Sequence, residues 1–101
     1  MERLIVRSAG IEAPQKISES QVASSRDWIV VVYDNEHNTV EEVTFILMLA
    51  TGCTDKEAEI ETWEVHHLGK SVVHNAAEQE CLRVAEIIGT IGIQVEVIKE
   101  D

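Results

Sequence analysis

Trp28-Ile29-Val30-Val31-Val32-Tyr33 is β-branched or aromatic at every position. The absence of polar alternation predicts a strand covered on both faces, and hence the centre of a sheet. Downstream, an oxygen-bearing residue followed three positions later by a carboxylate recurs as Thr39 with Glu42, Thr54 with Glu57 and Asn75 with Glu78. Such pairs satisfy the free amides of a first helical turn, so each predicts a helix start. The first helix carries Val40, Val43, Ile46, Leu47 and Ala50 on one face and stops at Gly52. The second runs from Asp55 to Leu68 and stops at Gly69, with Ala58, Val65 and Leu68 on one side and Ile60, Trp63 and His67 on an adjoining stripe. Ser71-Val72-Val73 reads as a short strand. The third helix places Ala77, Cys81, Val84, Ala85 and Ile88 together and ends between Gly89 and Gly92. From Ile93 to Ile98, apolar Ile93, Val95 and Val97 alternate with Gln94 and Glu96, as in a half-exposed strand. The expected order is β-α-α-β-α-β: an α+β fold with a three-stranded sheet and helices packed on it.

The chain of 101 residues, 45 % of them hydrophobic, has room for one domain. Residues 8–25 are Ser, Gly, Pro, Gln and charged types with few bulky side chains, too little to offset the entropy of ordering, so residues 1–26 are expected to form a flexible tail. Eight basic against 19 acidic residues leave a net charge of -11, which repels phosphate backbones and anionic lipid and favours partners with positive groups. Neither nucleic acid nor a membrane is an expected partner. Cys53 and Cys81 show no C-x-x-C spacing and read as free thiols of a reducing compartment. With no signal peptide and no apolar run of membrane-spanning length, the expected location is the cytoplasm and the expected state a monomer.

Chemistry is concentrated in two places. Asp34-Asn35-Glu36-His37-Asn38 follows the buried strand and precedes a capped helix, so its polar groups project from one edge of the sheet. Such a run is either a turn with local side-chain to backbone bonds or a site for an ammonium group, in which Asp34 and Glu36 supply charge and Asn35 a carbonyl to match the donors of an amine. The second cluster is Glu64-Val65-His66-His67, with His74 beyond it. Adjacent helical histidines diverge by about 100° and cannot share a metal, and the H-E-x-x-H pattern is absent, so no metal is expected. Trp63 reads as core. Cys81 lies on an apolar helix face where thiols are inert, and phosphate loops and serine elbows are lacking. Neither a catalytic residue nor a cofactor is expected, and the chain reads as no enzyme.

From Trp28 to Asp101 the chain resembles the ClpS family, adaptors that bring N-degron substrates to a Clp-family unfoldase. The resemblance is carried by Val32-Tyr33-Asp34-Asn35-Glu36-His37-Asn38, by Glu42-Val43-Thr44-Phe45-Ile46-Leu47 and above all by Glu64-Val65-His66-His67-Leu68-Gly69-Lys70-Ser71-Val72-Val73. It implies an adaptor domain over residues 27–101 with a fold shared by the C-terminal domain of the ribosomal stalk protein. It also implies that the amino terminus of a substrate protein or peptide is held by Asp34, Asn35, Glu36 and His66, and that its first side chain enters a pocket of Val40, Val43, Ile46, Leu47, Thr62, Val65 and Ile93. His37, Glu78 and Arg83 would dock on the AAA+ unfoldase, and the tail would serve delivery. The chain departs from the family pattern in the order of Asp34-Asn35, the reverse of the usual pair, and in Val40 and Thr62, where methionines are common. The alternative is an unfoldase- or ribosome-associated interaction domain that does not read amino termini.

Overall fold

The computed structural model describes residues 26–100, so the expected tail, all but Arg26, lies outside the described residues. The elements are β1 (Trp28–Tyr33), α1 (Val40–Thr51), α2 (Asp55–Leu68), β2 (Lys70–Ala76), α3 (Glu78–Gly89) and β3 (Val95–Lys99). All strand pairing is antiparallel in the order β2-β1-β3, which makes β1 the central strand as its composition requires. The chain therefore has the expected α+β order.

Val30 and Val32 enter one cluster with Val43, Ile46 and Leu47 of α1, Ala58 and Val65 of α2, and Cys81, Val84 and Ile88 of α3. Val31 is buried as well, yet stands outside that cluster, on the opposite face of the sheet between its register partners Val72 and Glu96. Helices thus cover one face, while on the other Val31 is buried and Ile29 and Tyr33 are half-buried.

Thr39 and Thr54 cap α1 and α2 through reciprocal bonds with Glu42 and Glu57, as expected from their spacing. The third expected cap fails. Pairing with β1 continues to Ala76, so Asn75 stays extended in β2, where its amide donates to the carbonyls of Arg26 and Trp28 at 2.8 Å each. Helix α3 starts instead after Ala77 without a side-chain cap, and Glu78 and Glu80 in its first turn complement the helix dipole. Strand β2 is accordingly longer than the Ser71–Val73 expected, and β3 starts at Val95 rather than Ile93.

The β1–β2 register shifts between Val30 and Val31, where Val30 pairs with His74 but Val31 with Val72. Val73 is the extra residue of this bulge, and it reverses the faces beyond it. Ser71 turns inward at 5 % exposed while Val72 turns outward at 52 %. The helix faces also differ in part from the periodic reading: Val40, Leu68 and Trp63 are exposed, while Thr62 is buried. Trp63 follows Thr62, and one residue of helical rotation carries its side chain off the inward face.

Arg83 of α3 joins three elements. Its guanidinium donates to Glu80 at 2.8 and 2.9 Å and to the Ala50 carbonyl at the end of α1 at 3.1 Å, while Glu80 also meets the His74 ring of β2 at 3.0 Å. The bond from Arg83, with support from His74, holds the Glu80 carboxyl below the usual carboxylate range. Leu47, fully buried at the centre of the cluster, has no surface onto which a truncation could collapse. Leu47→Ala is expected to cost about 2–5 kcal/mol in urea unfolding; a loss below about 1 kcal/mol would place Leu47 outside the core.

Candidate functional site

The turn after β1 is placed by backbone bonds. Tyr33 donates to the Gln94 carbonyl at 3.0 Å, and Asp34 donates to the Gly69 carbonyl at 2.9 Å. Gly69 ends α2 in the left-handed region at φ 91°, a conformation that costs little only without a Cβ. The last turn of α2 therefore stands beside Asp34, and the Nε2 of His66 lies 4.0 Å from Oδ1 of Asp34.

The orientation of that imidazole follows from its other nitrogen. Nδ1 is 3.0 Å from the Thr62 carbonyl oxygen, which can only accept, so Nδ1 carries the hydrogen. In the neutral ring, Nε2 is then a bare acceptor directed to the side where Asp34 lies. Two acceptors 4.0 Å apart cannot bond each other. A donor group seated between them at about 2.8 Å from each satisfies both.

Asn35 has a different place. Its Oδ1 accepts from the backbone amides of His37 at 3.2 Å and Asn38 at 3.0 Å, and its Nδ2 donates to Asn38 Oδ1 at 2.8 Å. The local turn reading thus holds for Asn35 in this structure, where its oxygen is already engaged twice. Asn38, which was not singled out in the sequence, anchors the turn by donating to the Ile91 carbonyl at 2.9 Å and to Glu42 at 3.2 Å. No local spacing signalled this role, because the partner at Ile91 is distant in the chain. Glu36 is exposed.

Of the residues named for a side-chain pocket, Val43, Ile46, Leu47, Val65 and Ile93 come together in the buried cluster. Thr62 is buried beside them, its hydroxyl 3.0 Å from that of Thr44, and Val40 lies exposed in the first turn of α1. Val40 and Thr44 share one face of α1, and Thr62 and His66 share one face of α2, each pair separated by one helical turn. The Thr44–Thr62 contact thus joins Val40 to the histidine along one seam. His37, Glu78 and Arg83 are exposed, and no hydrogen bond or ion pair joins them to one another among the described residues. Among those residues, too, no group of three or more potential metal ligands is found, and no helix is long and apolar enough to cross a membrane.

Residues 23–94 match the model of the family described as ATP-dependent Clp protease adaptor protein ClpS. The chain belongs to the ClpS family. ClpS is a non-catalytic adaptor of the Clp protease, so the turn and histidine just described belong to a binding protein. The fold is also similar to the structure of Agrobacterium tumefaciens ClpS2 bound to L-phenylalaninamide, with a TM-score of 0.68 at 15 % identity over 72 % of this chain and 95 % of that one. Comparison with curated proteins yields no significant match.

Beside the seam, Glu61 is an anomaly for an exposed helix. Its Oε1 is buried without a hydrogen-bond partner among the described residues, and burial, followed by the neighbouring Glu57 and Glu64, pushes its carboxyl up to about 7. A carboxyl raised in the folded state favours folding most when protonated, and that contribution is lost as pH rises through about 7. Glu61→Gln should therefore raise the melting temperature relative to the parent at pH 8 and much less at pH 5; an equal difference at both pH values would show that Glu61 ionisation does not weigh on the fold.

Proposed function

We infer that this ClpS chain captures the free amino terminus of substrate proteins between Asp34 and His66 and delivers them to a Clp-family AAA+ unfoldase. The observation that carries this reading is the pair of acceptors 4.0 Å apart, one a carboxylate and the other an imidazole nitrogen left bare because Nδ1 is committed to Thr62. A protonated amine offers three donors and a positive charge, which matches the two acceptors and the charge of Asp34. Glu36, at the rim of the turn, adds negative charge. Asn35 shapes the turn, and the second hydrogen of its Nδ2 is available to a carbonyl of the bound peptide.

The first side chain would enter along the seam, bounded by Val40, Thr44 and Thr62 over a floor of Val43 and Val65. L-phenylalaninamide, bound by the Agrobacterium relative, has a free amine and an aromatic side chain, the two features such a site would read. Val40 and Thr62 are short, branched walls, so the accepted side chain depends on their spacing, with about 1 kcal/mol at stake per methylene. Exposed His37, Glu78 and Arg83 are proposed as the face for the unfoldase. Arg83 would act there with its guanidinium already oriented by Glu80.

Fluorescence titration with peptides starting in Leu, Phe, Trp, Arg or Ala, each against its N-acetylated form, tests the reading. Acetylation removes the charge and two donors, so affinity should fall at least about tenfold, as it should for Asp34→Ala and His66→Ala. Equal affinity for free and acetylated peptides would refute amine capture.

A further inference from the structure

Six of the nine large apolar side chains exposed among the described residues belong to α1 and α2. Two of the six, Val40 and Leu68, sit at helix ends. The other four pair off by helical spacing: Phe45 with Leu49 on α1, and Ile60 with Trp63 on α2, at 65, 61, 53 and 53 % exposed. Phe45 and Trp63 directly follow Thr44 and Thr62, whose hydroxyls join the two helices at 3.0 Å. Phe45 and Trp63 therefore flank the α1–α2 seam on its solvent side, with Leu49 and Ile60 further round their helices, apart from the Asp34–His66 pair at the seam's end.

Trp63 is held in place. The His67 ring stacks on the indole with centroids 4.5 Å apart and 14° between planes, and its Nδ1 donates to the Trp63 carbonyl at 2.9 Å. An exposed tryptophan whose orientation is fixed before binding loses little entropy on contact, the property of an anchor residue. One face of the indole is occupied by His67, and at 53 % exposed the ring remains accessible to a cation.

Charge decides the kind of partner. Helices α1 and α2 carry seven carboxylates, Glu41, Glu42, Asp55, Glu57, Glu59, Glu61 and Glu64, against the single Lys56. Glu41 lies one turn before Phe45, and Glu59 one turn before Trp63. A second copy would bring the same acidic surface against itself, and nucleic acid or anionic lipid would be repelled. We propose that the outer face of α1 and α2, centred on Trp63 and Phe45, docks an amphipathic helical segment of a partner protein whose apolar stripe is flanked by Lys or Arg. The stripe covers Phe45, Leu49, Ile60 and Trp63, and its cations meet Glu41, Glu59 and the exposed indole. The surface is distinct from amine capture, and its occupant needs no free amino terminus.

Isothermal titration of the full chain uses an N-acetylated, C-amidated Leu/Lys amphipathic peptide of about 14 residues, and the same peptide with Glu for Lys. The blocked amine keeps this result independent of the Asp34–His66 site. The Lys peptide should bind at least about tenfold more tightly than the Glu peptide. Phe45→Ser and Trp63→Ser should each weaken it at least about tenfold with the circular dichroism spectrum retained, while Leu82→Ser, an exposed apolar change on α3, should leave it unchanged. Absence of binding, or equal losses for all three variants, would overturn the proposal. So would sedimentation showing self-association abolished by Trp63→Ser, since the occupant would then be a second copy.

Discussion

A single main-chain hydrogen bond, from the Asp34 amide to the Gly69 carbonyl, ties the two halves of the site together. It prolongs the β1–β2 ladder past Tyr33 and Lys70, the last register pair, and so fixes the turn after β1 against the end of α2. Gly69 makes the bond geometrically possible, because only a left-handed residue lets α2 stop and the chain reverse at once into β2. The bulge at Val73 sets which residue reaches that position. Without the extra residue the ladder would be displaced by one, and His66 would stand beside a different part of the turn.

Around this junction the polar groups are bonded so that only a few remain open. Asn35 and Asn38 spend their amides on the turn and on Ile91, while Thr62 sets the His66 ring with its carbonyl and joins α1 with its hydroxyl. Bonds of this kind keep the backbone in place, so that among the described residues Asp34 and Nε2 of His66 remain free acceptors without the turn collapsing on them. Arg83, Glu80 and His74 perform the same positioning at the other end of the helical layer, where α1, α3 and β2 meet.

The acidic balance is unevenly used. On α2, burial and then the close carboxylates Glu57 and Glu64 raise the protonation range of Glu61, a cost to the fold. The same concentration surrounds the exposed apolar residues of α1 and α2, where it repels other acidic macromolecules and draws basic ones. One pair of helices thus presents a polar pair at the seam's end and exposed apolar side chains along its outside.

The sequence by itself determined the order of elements, the central place of Trp28–Tyr33 and the caps at Thr39 and Thr54, because these depend on local periodicity and on bonds within one turn. It also brought Asp34 and His66 under suspicion together, through the resemblance of the segments around them. Only the tertiary structure decided what each could do. Asn75 looked like a cap until pairing with β1 drew it into the strand, and the strand read at Ser71–Val73 runs from Lys70 to Ala76 once that pairing forms. Trp63 looked like core until Thr62 took the inward position beside Thr44. In each case the deciding partner lies far away in the chain, and no window of neighbouring residues contains it. The 4.0 Å between Asp34 and His66 is of the same kind: the residues are legible, but their separation is set by a sheet register and a helix end that meet only in the folded chain.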